Sequence, residues 1–217
     1  ETSVPAASIA LKIGDKPLFL EGFESHRKQN QLLFAPLKSL LSELPEGEQL
    51  DLIIIGTGPG SYSGSRISIA AAQGIAAAHN CPVVGQSSFL ATEKGVSDSP
   101  SVAVGDARRG AFFTANVPTN GLPTEPVLMP REEFDKKITT LNAEEIFTLE
   151  PDLLFADESV IPLQAPSAAL HIAAWEKLSE ADQATQLNTP PAPTYLRAPF
   201  ITKAKPGHPL LRGKVKS

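Results

Sequence analysis

The chain lacks several features that would point to a secreted, membrane-bound or metal-dependent protein. Cys81 is the only cysteine, which excludes an internal disulfide and favours a reducing, cytoplasmic location. No apolar run approaches the roughly 20 residues of a membrane span, and no signal peptide is visible. No two histidines stand at helical i,i+3 or i,i+4 spacing, so we predict no metal site and expect surface or capping roles for all four, His26, His79, His171 and His208.

Bulk composition is that of an ordinary globular protein. The 217 residues are 41% hydrophobic and 20% charged, enough to bury a core in one large domain or two lobes of about 100 residues. A net charge of −5 argues against a surface devoted to nucleic acid. The chain begins at Glu1 without a methionine, and we expect part of a first strand to precede it.

A strand–loop–helix–strand unit occupies the centre of the sequence. The β-branched run Leu52–Ile55 predicts a strand that is buried on both faces. The segment Arg66–Ala78 predicts a helix that is apolar nearly all round and therefore covered on both sides. A second buried strand begins at Val83, so we expect a right-handed parallel crossover.

The turn inside this unit is rich in glycine. It is not a Walker A loop, because no Lys-Ser/Thr pair follows, and it lacks the spacing and the acidic residue of a dinucleotide fingerprint. Nor is it a nucleophile elbow, because Tyr62 stands where serine is required. A tight crossover and weak anion binding at a helix N-terminus both remain open. We expect Gly60 or Gly64 to take a positive φ or to lie against a neighbouring backbone. The loop residues singled out are Gly58, Gly60, Ser61, Gly64 and Arg66.

The flanking segments also alternate between strands and helices, which predicts an α/β fold of two lobes, residues 1–97 and 98–217. The first lobe contains a hairpin around Gly14 and a helix from Arg27 to Leu44. The further predicted elements are a short helix Phe89–Gly95, strands Ser101–Val104, Ala111–Val117, Val127–Met129 and Leu153–Asp157, and helices Arg131–Ile138 and Ser167–Leu178.

No catalytic constellation stands out in the sequence. We find no carboxylate pair with acid/base spacing, no paired histidines and no activated thiol. The residues therefore predict neither a catalytic residue nor a cofactor.

Four motifs together resemble the TsaB family, also called YeaZ. They are GPGSYSGSRI at 58–67, PVVGQSS at 82–88, DAR at 106–108 and YLR at 195–197, and the opening ETS is similar to the family's phosphate-loop remnant. The match spans the chain but is weak from about Thr119 to Thr189. Departures are Tyr62-Ser63 for Phe-Thr, Ser65 for Leu and Gln86 for Val.

The resemblance implies a two-lobed fold of the actin/Hsp70/sugar-kinase type, which is ribonuclease H-like. It implies a non-catalytic subunit in the synthesis of threonylcarbamoyladenosine in tRNA, with a TsaD-like catalytic subunit and a TsaE-like ATPase as partners. TsaD carries a metal-binding His-x-x-x-His, whereas here Asn30 follows His26 by four residues. The resemblance therefore implies no metal, no membrane, and contact with tRNA only through the complex.

The two helices of the first lobe carry more apolar surface than one lobe face needs. We expect them to form the partner surface for TsaD, or for a second copy when the chain is alone. Its predicted residues are Leu33, Leu37, Leu40, Leu41, Ile67, Ala70, Ala71, Gly74, Ile75 and Ala78. Two alternatives remain: a metallopeptidase or phosphoryl-transfer enzyme of the same superfold, and a homodimeric structural protein.

Overall fold

The computed structural model describes residues 1–16, 18–24, 32–151, 153 and 161–197. These residues form a mixed α/β fold, as the alternation of strand and helix patterns predicts. Its eight strands are β1 (Ala6–Leu11), β2 (Phe19–Glu24), β3 (Ile53–Gly56), β4 (Val83–Gln86), β5 (Ser101–Asp106), β6 (Ala111–Val117), β7 (Val127–Pro130) and β8 (Ile146–Thr148). Its five α-helices are α1 (Phe34–Leu41), α2 (Tyr62–His79), α3 (Arg131–Ile138), α4 (Ala168–Lys177) and α5 (Glu180–Leu187).

The predicted N-terminal hairpin is confirmed. Strands β1 and β2 pair antiparallel with Leu11 opposite Phe19. Gly14 in the connection has a φ of +52°, a conformation that glycine adopts without a steric penalty. The sequence predicts these strands at Ser8–Ile13 and Pro17–Phe23, so both are shifted by one or two residues, and residue 17 lies outside the described residues.

The predicted parallel crossover is also confirmed. Strands β3 and β4 pair parallel, with Ile54 opposite Val84, and α2 connects them. The helix begins at Tyr62, four residues before the predicted start, because the side chain of Ser61 accepts a hydrogen bond from the backbone N–H of Gly64 at 3.1 Å. Asn80 ends it in the left-handed conformation.

The predicted helix Arg27–Leu44 is only partly within the described residues. Residues 25–31 lie outside them, and α1 spans Phe34–Leu41. The end at Leu44 is wrong by three residues, because Glu43 and Leu44 form short-range turn hydrogen bonds to Leu40 and Leu41 rather than helical ones. Helix α1 packs against β1 and β2.

The second half of the chain forms a four-stranded sheet in the order β7-β6-β5-β8. Strands β5, β6 and β7 are antiparallel neighbours, and β8 pairs parallel with β5. The sequence predictions missed β8 because it is only three residues long, and they missed α5, which begins after the capping residue Ser179.

Apolar residues are buried on both sides of this sheet. On one side Phe89, Phe113 and Phe147 pack together, and Ala174 of α4 covers them. On the other side Phe134 and Ile138 of α3 pack against the sheet. A separate cluster, Ile55, Ile69 and Ala72, joins β3 to α2.

One predicted element is wrong, and others stay untested. Residues 89–95 form turns instead of a helix, and a side chain at Gly95 would collide with the carbonyl oxygen of Phe89. The predicted strand Leu153–Asp157 falls mostly outside the described residues, and the lobe boundary at residue 97 stays a prediction. Within the described ranges, no helix combines the length and the apolar character that a membrane crossing requires.

Candidate functional site

Helices α1 and α2 border an open groove of about 620 Å³. Apart from one histidine, the side chains that line it are apolar: Phe34, Leu41, Ile67, Ala70, Ala71, Gly74, Ile75, Ala78 and His79. Phe34 is 58% exposed, although burying such a side chain is favourable by about 1.5–3 kcal/mol. The groove is therefore an apolar surface that the described part of the chain leaves uncovered.

The opposite face of α2 packs on the chain's own sheet. Ile69, Ala72 and Ala76 are buried there, and Ile55 of β3 packs in the same cluster. The groove face carries Ala70, Gly74 and other small residues, which give it low relief and permit a close approach of another helix. The two faces of α2 thus differ: one packs on the sheet, and the described residues leave the other open.

Most of the predicted partner residues line this groove, and three do not. Leu33 and Leu40 are 5% and 6% exposed and belong to the core, and Leu37 is half-buried outside the groove lining. Of the leucine stripe in the sequence, Leu33, Leu37, Leu40, Leu41 and Leu44, it is Leu33 and Leu40 that are turned toward the chain itself. Helix α1 contributes Phe34, which lies off that stripe, and Leu41 to the groove. The use of the groove by a partner stays a prediction.

The glycine loop is closely packed against the start of the chain. A Cβ atom at Gly60 would collide with the carbonyl oxygen of Ser3, and one at Gly64 would collide with that of Thr2. The expected close approach of these glycines to a neighbouring backbone is therefore confirmed. The glycine of the loop that has a positive φ, of +90°, is Gly58. Thr2 Oγ1 donates to the carbonyl oxygen of Gly64 at 2.8 Å and completes this contact.

The end of the described chain also reaches this loop. The backbone N–H of Thr194 donates to the carbonyl oxygen of Thr57 at 2.8 Å. The ring of Tyr195 stacks on Tyr62, with the two centroids 5.3 Å apart. The YLR motif and the glycine motif, which are remote in sequence, are therefore neighbours in the fold.

Below the loop lies a buried polar cluster that the sequence interpretation missed. Glu1 accepts hydrogen bonds from Ser88 Oγ at 2.6 Å, from the Ser3 backbone N–H at 2.6 Å and from His171 Nε2 at 2.9 Å. His171 is 2% exposed, so the surface or capping role predicted for it is wrong. Because its partners are 85 and 170 positions away, no local pattern could have revealed the contact.

Both titratable members of this cluster have shifted pKa values. Burial alone would raise the pKa of Glu1, but the hydrogen bonds from His171 and Ser88, together with favourable charge interactions, hold it well below the usual range. Burial lowers the pKa of His171, and the bond to Glu1 only partly opposes that shift. The pair is therefore a carboxylate that accepts a hydrogen bond from a neutral imidazole.

The amide of Gln86 completes the pattern around the imidazole. Its Oε1 lies 2.6 Å from His171 Nδ1, and its buried Nε2 has no hydrogen-bond partner among the described residues. A neutral His171 that donates through Nε2 has only an acceptor at Nδ1. Rotation of the Gln86 amide by 180° brings its NH₂ group to Nδ1 and satisfies both atoms. The Glu1 carboxylate, which can only accept, therefore fixes the tautomer of His171, and the Gln86 amide adapts to it.

The polar side chains of this cluster hydrogen-bond to one another and not to solvent. Glu1, Gln86 and His171 are each buried and hydrogen-bonded within the cluster. Among the described residues, no three or more His, Cys, Asp or Glu side chains are grouped so that they could hold a metal ion. His26 and Asn30 lie outside those residues. In the DAR motif, Asp106 ends β5, and its Oδ1 accepts from the backbone N–H of Arg108 at 2.6 Å, which stabilises the turn that follows.

The model of one protein family matches residues 25–136, just over half of the chain. Its description is TsaD, tRNA N6-adenosine threonylcarbamoyltransferase. This chain belongs to the TsaD family. The matched segment contains α1, the glycine loop and α2, and therefore the whole groove between the two helices.

Solved structures of YeaZ share the fold. A crystal structure of an uncharacterized protein with similarity to peptidase YeaZ from Pseudomonas aeruginosa matches with a TM-score of 0.61 and 22% identity, over 90% of this chain and 96% of that chain. YeaZ from Pseudomonas aeruginosa matches with a TM-score of 0.57 and 23% identity, with the same coverage. The predicted TsaB (YeaZ) resemblance and the actin/Hsp70/sugar-kinase type of fold are confirmed.

Proposed function

We propose that this TsaD-family protein is a non-catalytic, TsaB-like subunit that binds a TsaD-like catalytic subunit in tRNA N6-threonylcarbamoyladenosine modification. The observation that carries the proposal is the uncovered apolar groove between α1 and α2. A TsaE-like ATPase joins the same assembly in the cytoplasm, and the chain meets tRNA only within it. No catalytic residue is assigned to this chain.

A related subunit is the partner that best fits the groove. The matching family model is that of TsaD, and the match includes both helices. A pair of helices that meets the equivalent pair of a relative forms a four-helix contact, which can be built either with TsaD or, without it, with a second copy. A specific contact of this kind should bury at least about 1,000 Å² in total.

The polar cluster supports the absence of catalysis. A general acid or base must reach the proton that it transfers, directly or through one water. The side chains of Glu1 and His171 are 0% and 3% exposed and are bonded to each other. They stabilise the junction between the start of the chain and α4, and they offer no group to a substrate.

Two adjacent alanines of α2 test the proposal. Ala71 lines the groove, whereas Ala72 is 4% exposed and packs with Ile55 and Ile69. We expect Ala71→Glu to fold normally but to lose co-elution with the organism's TsaD-like protein, because a desolvated charge without a counter-ion costs several kcal/mol. Ala72→Glu should lose folding instead. If a folded Ala71→Glu variant pairs with the TsaD-like protein as well as the wild type does, the partner site lies elsewhere.

A further inference from the structure

Two exposed cations lie on the helix faces that form the apolar groove. Lys38 of α1 stands four residues after Phe34 and three before Leu41, and both of these line the groove. Arg66 of α2 stands four residues before Ala70, which also lines it. Residues three or four positions apart are neighbours on a helix surface. Lys38 and Arg66 therefore extend the groove faces of their helices, and both are exposed.

Two tyrosines hold the side chain of Arg66 in place. Its guanidinium carbon lies 5.1 Å from the centroid of the Tyr62 ring, and Nη1 donates to the Tyr62 hydroxyl at 2.5 Å. The Tyr62 ring in turn stacks on Tyr195. Because Arg66 is already oriented, it loses less side-chain freedom when it binds a partner.

Neither cation is neutralised by the part of the chain that the structure describes. Within that part, Lys38 and Arg66 form no ion pair. Helices α1 and α2 contain no aspartate or glutamate, and their only other basic residue is His79. The helix pair thus carries positive charges only, although the whole chain has a net charge of −5.

We propose that Lys38 and Arg66 bind carboxylates of the subunit that occupies the groove, and that they select a related subunit with acidic helices over a second copy of this chain. The inference rests on the proposed function and names the chemistry of the partner surface. An apolar centre with a polar border is typical of a protein–protein interface, and arginine and tyrosine are enriched among its strongest contacts. A nucleic acid would have to lay its phosphates across the apolar lining, so a protein is the better occupant.

The charges disfavour a second copy in the groove. A two-fold contact brings the same residues to both sides, so the helices of two copies would bring together four such cations and no carboxylate. Like charges in an interface repel each other and suppress the wrong partner. A related subunit whose facing helices carry aspartate or glutamate gains ion pairs instead.

Neutralising the two cations should change hetero- and self-association in different ways. Lys38→Gln/Arg66→Gln should weaken pairing with the TsaD-like protein by about fivefold or more, because the carboxylates of the partner lose their counter-ions. Isothermal titration calorimetry at about 50 mM salt, where screening is weak, measures this loss. Self-association of the same variant, measured by analytical ultracentrifugation, should equal or exceed that of the wild type, because the repulsion is removed.

Reversing the two charges should enlarge the effect on pairing. Lys38→Glu/Arg66→Glu should lose more affinity than the glutamine variant, and raising the salt to about 500 mM should weaken pairing of the wild type but not of this variant. Lys16→Glu/Lys136→Glu is the matched control, because it changes the net charge equally at exposed positions in the β1–β2 connection and on α3. The control should pair as the wild type does. Circular dichroism checks that each variant is folded.

The outcomes separate this inference from the proposed function. The inference is wrong if a folded charge variant pairs as the wild type does, if the control loses as much affinity, or if the glutamine variant self-associates more weakly than the wild type. Loss of pairing in Ala71→Glu alone would support the groove and contradict only the role of the cations. Loss in the charge variants, with normal pairing of Ala71→Glu, would support the cations and contradict only the groove. A wild type that does not pair with the TsaD-like protein would contradict the proposed function, and this inference with it.

Discussion

His171 Nε2 lies 2.9 Å from Glu1 Oε2 and joins α4 to the first residue of the chain. The two positions are 170 residues apart, and both side chains are almost completely buried. Ser88, which follows β4, and Gln86 within it bond to the same pair. One cluster of hydrogen bonds therefore connects the start of the chain, the β3–β4 crossover and α4.

This pair should make stability depend on pH. The folded-state pKa of His171 lies below its ordinary value of 6.5, so the unfolded chain takes up a proton that the folded chain does not. The associated stability is present above about pH 6.5 and is lost progressively as the pH falls below it. The pKa of Glu1 is also lowered, so its contribution is lost at more acidic pH, below its ordinary value of 4.5. Urea unfolding between about pH 7.5 and pH 5 should therefore show a falling midpoint.

A histidine variant identifies the source of that slope. His171→Gln cannot titrate, so its stability should change less between these pH values, although it should be lower at pH 7.5 by about 1–3 kcal/mol because buried partners lose a hydrogen bond. His79→Gln is the matched control, since His79 is only half-buried and accepts from the Leu50 backbone N–H. Equal pH slopes in His171→Gln and the wild type would contradict the assignment.

Two glycines of α2 should respond oppositely to alanine. A methyl group at Gly64 meets the carbonyl oxygen of Thr2, whereas at Gly74 no atom of the described residues lies within 4 Å of it. Gly64→Ala should reduce the free energy of unfolding by about 1 kcal/mol or more. Gly74→Ala should raise it by about 0.5–1 kcal/mol, because alanine is the better helix former. Urea titration measures both, and a Gly64→Ala variant as stable as the wild type would show that no backbone contact restricts this position.

Local signals account for what the sequence predicted well. Helix α3 has the predicted bounds, with acidic residues in its first turn and lysines in its last. Ser167, a residue type that favours the N-cap position, caps α4 and accepts from the Leu170 N–H. The crossover follows from an apolar run, a glycine turn and an apolar helix. Each of these features is encoded within a few consecutive residues.

Long-range pairing accounts for what the sequence did not predict. The contacts of His171 with Glu1 and of Tyr62 with Tyr195 join residues that no spacing rule connects. The leucine stripe of α1 marked a buried face, but the sequence does not show whether the chain or a partner buries it. Leu40 is covered by the chain's own fold whereas Leu41 lines the groove, so the stripe does not distinguish the core from the groove.

The isolated protein should have no enzymatic turnover. Glu1 and His171, the acid/base pair that the structure brings together, are buried and hydrogen-bonded to each other, so neither can reach a substrate. Purified chain should not exceed background with a glycoprotein, with ATP, or with tRNA and threonylcarbamoyl-AMP. Turnover that requires a metal and disappears on mutation of one histidine would contradict the prediction.

The last prediction concerns Phe34 and Leu40, which lie on the same helix and have different neighbours. Phe34 is 58% exposed and lines the groove, whereas Leu40 is 6% exposed in the core. Phe34→Ser should change the free energy of unfolding by about 0.5 kcal/mol or less, because the side chain contributes little to the chain's own packing. If the groove binds a TsaD-like subunit, the same variant should weaken that association by tenfold or more, as the removal of a central aromatic anchor does.

Leu40→Ser should instead destabilise the fold by about 2–5 kcal/mol, because it removes buried apolar volume and buries a hydroxyl. Urea unfolding of each variant, followed by size-exclusion chromatography with the TsaD-like protein, separates the two effects. A stable Phe34→Ser protein that still associates at wild-type strength would exclude Phe34 from the partner contact.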